Sequence, residues 1–93
     1  MSLRGRLASD RLTVALLVNA TQGRRPNCSD PESHQLWLSE HPAERKLAVA
    51  MCSGCCVWDE CGAAAAANRE SFGVWASRDR TRAPGSKKRI EAA

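Results

Sequence analysis

Apolar positions recur with helical spacing near the beginning of the chain. Leu12 and Leu16 lie four positions apart, with Leu17 beside the second, which places all three on one broad helix face. Ser9-Asp10 is a typical N-cap, and Gly23 is a typical residue just beyond a helix. The pattern predicts a first helix that begins at Ser9-Asp10 and ends before Gly23.

Three further short helices are predicted downstream. Start signals at residues 29–32, a serine followed by proline and glutamate, favour a short helix through Leu38. Residues 42–51 are predicted to form a third helix, because the segment opens with proline and ends shortly before a glycine. Residues 57–68 are predicted to form the fourth, since they contain five consecutive alanines and end in asparagine.

The remaining segments give little sign of regular structure. Residues 71–75 are apolar around a glycine and too short for a helix, so they favour a turn or small hairpin that presents Trp75. Residues 83–93 contain Pro84-Gly85 and are expected to form a mobile tail. Because no alternating segment of strand length is found, the predicted fold class is all-α, a small bundle of about four short helices.

Composition indicates that the hydrophobic core is small. The chain has 93 residues, of which only 4% are aromatic. A domain of this size buries only about 60% of its unfolded surface, so stabilisation beyond the hydrophobic core is expected.

The short chain also argues against some classes of protein. It leaves little room for a deep enzyme pocket, and no segment reaches the roughly 18 apolar residues of a membrane span. A seven-residue apolar run at 12–18 is too short to indicate export, so a cytoplasmic location is expected.

Charge is distributed unevenly along the chain. Residues 1–26 carry a net charge of +4, residues 27–75 carry −4, and residues 76–93 carry +4. Basic ends suit a polyanion such as nucleic acid, because each Lys or Arg that neutralises a phosphate releases a counterion. Solvated ends that bind nothing would show the same pattern.

Five cysteines form the strongest chemical signal. Cys28, Cys52, Cys55 and Cys61 give the spacing C-x23-C-x2-C-x5-C, with Cys56 left over. Zinc sites usually combine two close cysteine pairs, whereas this chain has one, and a thiol redox pair usually lies in a βαβ unit. An iron–sulfur cluster held by four thiolates fits the uneven spacing best. Cys56 is expected to be a small buried residue or a free thiol.

These features together resemble the WhiB-like (Wbl) family of actinobacterial and actinophage iron–sulfur transcription factors. The resemblance rests on the four-cysteine spacing, the alanine-rich helix, the Phe72-Gly73-Val74-Trp75 turn and the arginines beyond it. It implies three parts: a basic N-terminal segment with the first helix (1–24), an iron–sulfur domain with the turn (25–76) and a basic tail (77–93). Two departures are Ala76-Ser77, where many relatives have glycines, and Cys56, where proline is common.

The resemblance also implies a cofactor, partners and a function. The cofactor would be a 4Fe-4S cluster on Cys28, Cys52, Cys55 and Cys61, around which the helices are organised. The protein would be a non-enzymatic regulator that docks on the C-terminal domain of the primary sigma factor, with no membrane or small-molecule substrate. The cluster would sense oxygen or nitric oxide. The residues implied for the sigma-factor contact are Phe72, Gly73, Val74 and Trp75. Those implied for promoter DNA are Arg78, Arg80, Arg82, Lys87, Lys88 and Arg89.

Alternatives remain open at the level of sequence. The metal-free form could act as a thiol-disulfide oxidoreductase through Cys52 and Cys55, although the Ser-Gly between them supplies no positive charge to activate a thiolate. A zinc-stabilised DNA-binding module is a further alternative. The basic tail has no AT-hook core, so it is expected to hold phosphates with little base specificity. Trp37 and Trp58 are expected to lie in the core or to shield the cluster.

Overall fold

The computed structural model describes residues 2–81, a mostly helical unit closed by a small hairpin. Helices α1, α2 and α3 span Leu3–Thr21, Pro42–Met51 and Trp58–Ala67. Two short 3₁₀ helices span Asn27–Ser29 and His34–Leu38, and strands β1 and β2 span Val74–Trp75 and Arg78–Asp79. The mostly helical character was predicted correctly, but this part of the chain is not a four-helix bundle. The expected mobile tail at 83–93 lies outside the described residues.

Helix α1 begins earlier than its sequence signals indicated. Ser2 is the N-cap, since its Oγ accepts a hydrogen bond from the Gly5 N–H at 3.1 Å. Ser9 lies inside the helix, where its hydroxyl accepts a hydrogen bond of 2.9 Å from the Asn68 side chain. The predicted start was therefore wrong, because the serine expected to cap α1 instead joins it to α3. The end before Gly23 was predicted correctly.

The second predicted helix is a 3₁₀ helix. His41 adopts an extended conformation (φ −92, ψ 116) before Pro42, as the residue preceding a proline normally does. The segment forms five residues of 3₁₀ helix and ends earlier, at Ser39, whose backbone is already extended (φ −68, ψ 147). The bounds of α2 were predicted correctly, and those of α3 to within one residue at each end.

Small residues hold α3 against α1. Ala64 and Ala65 are buried on α3, and Gly5 is buried on α1, so the two helices can pack closely. Asn68, at the C-cap of α3, donates hydrogen bonds to the Gly5 carbonyl at 3.3 Å and to Ser9 Oγ at 2.9 Å. The asparagine predicted to end the helix therefore also attaches it to its neighbour.

The hydrophobic core joins the second 3₁₀ helix, α2 and β1. Its buried members are Trp37, Ala48, Cys52 and Val74. One of the four is an alanine and another is a cysteine, so the core is as modest as the composition indicated. The placement of Trp37 in the core, expected from the sequence, is confirmed.

The hairpin has a tight two-residue turn. Val74 pairs with Asp79 and Trp75 with Arg78. The turn residues Ala76 (φ 50) and Ser77 (φ 65) both have left-handed backbone, as in a type I′ turn. This turn matches the twist of the strands, although Asn and Gly adopt its conformation more easily than alanine. The small hairpin expected at the end of the apolar segment is thus present, and the boundary proposed after residue 76 falls inside its turn.

An ion pair between a buried arginine and a partly exposed aspartate attaches the hairpin to α2. Arg45, on α2, has a side chain only 8% exposed, and its Nε lies 3.0 Å from a carboxylate oxygen of Asp79 in β2. Arg45 Nη1 also donates to the Ser39 carbonyl at 2.8 Å. No sequence pattern indicated this pair, because its partners lie 34 positions apart.

Helix α1 carries apolar residues on its outer surface as well as against α3. The exposed ones are Leu3, Leu7, Val14, Leu17 and Val18. None of the helices within residues 2–81 combines the length and apolar character that a membrane crossing requires.

Candidate metal centre

Four of the five cysteines line one cavity of about 350 Å³. Cys28 lies in the first 3₁₀ helix, Cys52 at the C-cap of α2, Cys55 in the following turn and Cys61 in α3. Cys56, next to Cys55 in sequence, does not line the cavity. These four cysteines are the ones expected from the spacing, and the structure brings them to one place.

The C-x2-C pair is shaped by the end of α2. The Cys52 N–H donates to the Ala48 carbonyl at 3.0 Å, which continues the helix to that residue. Gly54 then adopts φ +77, and the Cys55 N–H returns to the Cys52 carbonyl at 3.1 Å. A left-handed glycine of this kind commonly ends a helix. The tight turn allows Cys52 and Cys55 to face the same cavity.

Asn27 brings the distant cysteine to this turn. Its side-chain amide donates to the Met51 carbonyl at 2.8 Å and to the Ser53 carbonyl at 3.1 Å. Both acceptors belong to the end of α2, where carbonyls lack helical partners. Asn27 therefore fixes the segment that carries Cys28 beside Cys52. Sequence reasoning missed this residue, whose only signal was its position next to a cysteine.

The thiols affect one another electrostatically. Burial raises the pKa of Cys28, and the neighbouring Cys55 and Cys52 raise it further. Burial is also the main cause that raises the pKa of Cys61, with smaller contributions from Cys28, Cys52 and Cys55, while the Ala76 backbone N–H acts in the opposite direction. Cys28 is an exposed residue, yet its thiol is desolvated at the cavity. Cys56 contributes to neither shift.

The four thiols would have to become thiolates to bind metal, since the thiolate is the ligating form. The raised pKa values of Cys28 and Cys61 show that, without a positive centre between the thiols, the site disfavours negative charge on these two residues. A metal centre supplies the compensating charge. Cysteine sulfurs are soft donors, of the kind that zinc and iron–sulfur clusters take.

The four cysteines share the cavity with apolar side chains. Its lining also contains Leu12 and Leu16 of α1 and all three tryptophans, so the volume of about 350 Å³ belongs to the whole cavity. Within residues 2–81, no three His, Cys, Asp or Glu side chains form a group arranged to bind a single metal ion. The fit to a metal centre therefore rests on the chemistry of the donors, four cysteines that line one cavity.

Comparison with known proteins identifies the family. The sequence profile of the family described as "Transcription factor WhiB" matches residues 23–83, which contain all four cavity cysteines, α2, α3 and the hairpin. The chain belongs to the WhiB family. It is therefore related to regulators of transcription.

One curated relative supports the same assignment. The chain is 39% identical over 46 residues to "Transcriptional regulator WhiB7" of Mycolicibacterium smegmatis (strain ATCC 700084 / mc(2)155). The match covers 50% of this chain and 42% of that relative, so the chain spans less than half the length of the WhiB protein it matches. The comparison with solved structures found no match.

The turn that resembles other WhiB-like proteins packs against the cavity. Gly73 and Val74 are buried, whereas Phe72 is 42% exposed. Trp75 is half-buried and lines the cavity, and its indole N–H donates to the Phe72 carbonyl at 2.9 Å. The Trp75 ring is thus held by its own hairpin, and the most accessible aromatic surface of the turn belongs to Phe72.

The basic residues expected to contact DNA are only partly within the described residues. Arg78 is exposed on β2. Arg80 is half-buried, its backbone N–H donates to the Gly73 carbonyl at 2.9 Å, and its buried Nε has no hydrogen-bond partner within residues 2–81. Outside the described residues lie Arg82, Lys87, Lys88 and Arg89.

Proposed function

We propose that this WhiB-family protein is a transcriptional regulator that binds a 4Fe-4S cluster through Cys28, Cys52, Cys55 and Cys61. The observation that carries the proposal is that these four cysteines line one cavity while Cys56 does not. Four thiolates are the usual ligand set of such a cluster. Membership of the family supports the regulatory role, and the shared cavity supports the choice of these four cysteines as ligands.

The cluster would complete the fold. The cavity lies between α1, both 3₁₀ helices, the turn that follows α2, α3 and the hairpin, since each of them contributes residues to its lining. Metal ligation adds folding free energy, which a small alanine-rich core lacks. We therefore expect the apo protein to be much less stable than the cluster-bound form.

Bound there, the cluster would supply a centre that oxygen or nitric oxide can damage. Trp58 lines the cavity and is 44% exposed, and its indole N–H donates to Ser77 Oγ at 3.0 Å. This contact closes the hairpin tip over the start of α3. Because the Ala76 backbone hydrogen-bonds to the Cys61 sulfur, release of Cys61 from a damaged cluster would loosen the same tip.

The partner proposed for the surface near Phe72 is the C-terminal domain of the primary sigma factor. Phe72 offers exposed aromatic area, and Trp75 lies beside it with its ring already fixed. Rigid aromatic residues typically dominate the binding energy of an interface. Gly73 and Val74 are buried, so they would support the position of Phe72 and Trp75 and would not contact the partner directly. Arg78 and the basic tail would hold promoter phosphates at the same end of the chain.

The cofactor can be tested by anaerobic purification of the full chain. A brown protein with broad visible absorption and about four irons per chain is expected. A colourless protein with stoichiometric zinc would instead support a zinc-stabilised DNA-binding module. Turnover of a disulfide substrate by the metal-free protein would support the oxidoreductase alternative.

The sigma-factor contact can be tested by anaerobic co-purification with the isolated sigma-factor domain. Phe72→Ala and Trp75→Ala are each expected to weaken binding at least tenfold, as removal of an aromatic anchor does. Leu17→Ala provides the control, because Leu17 is an exposed apolar residue of α1 that does not line the cavity. Equal effects of all three substitutions would contradict a specific contact at the turn.

A further inference from the structure

Trp37 donates a hydrogen bond to one of the cavity cysteines. Its indole N–H lies 3.1 Å from Cys52 Sγ. Trp37 is only 5% exposed and Cys52 only 6% exposed, so water has little access to either partner. The bond therefore lies in the hydrophobic core, where the low dielectric strengthens it.

A cysteine sulfur is an unusual acceptor for a buried indole N–H. A buried tryptophan N–H normally finds a good acceptor, and a neutral thiol sulfur is a weak one. A thiolate accepts far more strongly, because the hydrogen bond is then assisted by charge. The pairing is thus best satisfied when Cys52 carries negative charge, which is the state of a metal-ligating cysteine.

The other two tryptophans show that the contact is specific. All three tryptophans line the same cavity. The Trp58 N–H donates to Ser77 Oγ at 3.0 Å, and the Trp75 N–H donates to the Phe72 carbonyl at 2.9 Å. In the described part of the chain, Trp37 is the tryptophan that donates to sulfur. The N–H···S bond is therefore not a general consequence of an aromatic lining.

Packing fixes both partners of this bond. Leu36 and Val49 pack against the core cluster that contains Trp37 and Cys52. The hairpin contributes Val74 to the same cluster. The indole thus has little freedom to turn away from Cys52.

We propose that Trp37 tunes the cluster by donating its indole N–H to the ligand sulfur of Cys52. This inference rests on the proposed function, in which Cys52 binds the cluster. A hydrogen bond to a ligand sulfur withdraws electron density from it and stabilises the more negative, reduced state. Trp37 therefore raises the reduction potential of the centre and makes the reduced state more accessible.

The test compares two identical substitutions in the cluster-bound full chain. Trp37→Phe removes the N–H at Cys52, whereas Trp58→Phe removes an indole that lines the same cavity but donates to Ser77. An anaerobic redox titration measures the potential, and resonance Raman spectroscopy measures the iron–sulfur(cysteine) stretching frequency. Trp37→Phe is expected to shift the potential to a more negative value and the stretch to a higher frequency. Trp58→Phe, which removes part of the cavity lining but no donor to sulfur, is expected to shift both by less than Trp37→Phe does.

The outcomes separate this inference from the cofactor assignment. A fully loaded Trp37→Phe variant with the wild-type potential would overturn the role of Trp37 and leave the cluster in place. Equal shifts in both variants would also overturn it, since ring size alone would then explain the effect. A wild-type protein that binds no iron would overturn the proposed function and this inference together.

An isosteric residue covers the case in which Trp37→Phe does not fold. Benzothienylalanine at position 37 keeps the fused ring and replaces the N–H group with sulfur. The same negative shift of potential is expected, because the donor is lost while the packing around residue 37 is retained. An unchanged potential in this variant would overturn the proposal.

Discussion

Gly73 leaves no room for a side chain where the hairpin meets the second 3₁₀ helix. It adopts φ +87, and a Cβ at this position would lie 2.6 Å from Leu38 Cδ2 and 3.1 Å from the Trp37 carbonyl oxygen. The glycine thus allows the hairpin to close directly over the 3₁₀ helix. The lack of a side chain at Gly73 therefore sets how closely the hairpin approaches Trp37, the residue that donates to Cys52.

Gly73→Ala is therefore expected to destabilise the protein more than Gly23→Ala. Both positions have left-handed backbone, which costs an alanine about 1–2 kcal/mol, but a Cβ at Gly23 (φ +75) would have no neighbouring atom within 4 Å. Overpacking at Gly73 adds roughly 1–3 kcal/mol. Denaturant unfolding of both variants measures the difference. Equal losses of stability would contradict the close packing described for the hairpin.

At the scale of elements, hydrogen bonds between distant residues hold the short segments together. Arg45 and Asp79 attach the hairpin to α2, Asn27 attaches the first 3₁₀ helix to the end of α2, and Asn68 attaches α3 to α1. Each of these bonds joins one element to a neighbour that is distant in sequence. The short elements thus depend on polar contacts as well as on the small core.

The Arg45–Asp79 pair makes the stability of the hairpin dependent on pH. Burial alone would raise the pKa of Asp79, but hydrogen bonds from the Thr81 N–H and from Arg45, with the charge of Arg45, outweigh burial and hold it below the usual 3.8. A lowered pKa means that folding favours the carboxylate. The stabilisation is present above about pH 3.8 and is lost as the pH falls through the folded-state value.

Asp79→Asn is expected to lower the free energy of unfolding by about 1–2 kcal/mol near neutral pH, because it weakens hydrogen bonds to a charged group. The difference from wild type should disappear in strong acid, where Asp79 is protonated. Unfolding measured at several pH values, with Asp10→Asn as an exposed control on α1, checks this. A difference that persists unchanged into strong acid would contradict the ionic origin of the effect.

The sequence predicted the elements better than it predicted their attachments. Local signals such as Pro42 at a helix start and Asn68 at a helix end act within a few residues, so they located α2 and α3 closely. The cysteine spacing singled out the four cysteines that line one cavity, and their role as cluster ligands stays a prediction. The Asn27 amide bonds, the Arg45–Asp79 pair and the Trp37–Cys52 bond join residues that are distant in sequence, and no local pattern marks them.

At the scale of the whole molecule, the cavity cysteines and the excess of basic residues lie in different parts of the chain. The cavity cysteines lie in the segment 27–75, which has a net charge of −4, and residues 76–93 carry +4. The proposed function needs this separation, because in it the cysteine-containing segment would meet a protein partner while a basic end would hold nucleic acid. The distribution of charge along the chain thus agrees with the regulatory role of the family.

Neutralisation of Lys87, Lys88 and Arg89 to alanine is expected to weaken binding to all DNA sequences alike. Phosphate contacts carry no sequence information, and the salt dependence of binding should fall by about one unit of slope for each phosphate-binding side chain removed. Binding to several promoter and non-promoter duplexes at different salt concentrations measures both effects. Neutralisation of Arg4, Arg6 and Arg11 removes the same charge from α1 and provides the control. Weakening confined to one sequence would contradict the prediction.

The most direct test of the cluster assignment is the iron and sulfide content of five anaerobically prepared variants, each with one cysteine changed to serine. Variants at Cys28, Cys52, Cys55 and Cys61 are expected to lose the cluster, because each removes one of its four ligands. The Cys56→Ser variant, altered outside the cavity, is expected to retain wild-type iron. Loss of the cluster on replacement of Cys56, or full retention on replacement of any of the other four, would contradict the assignment.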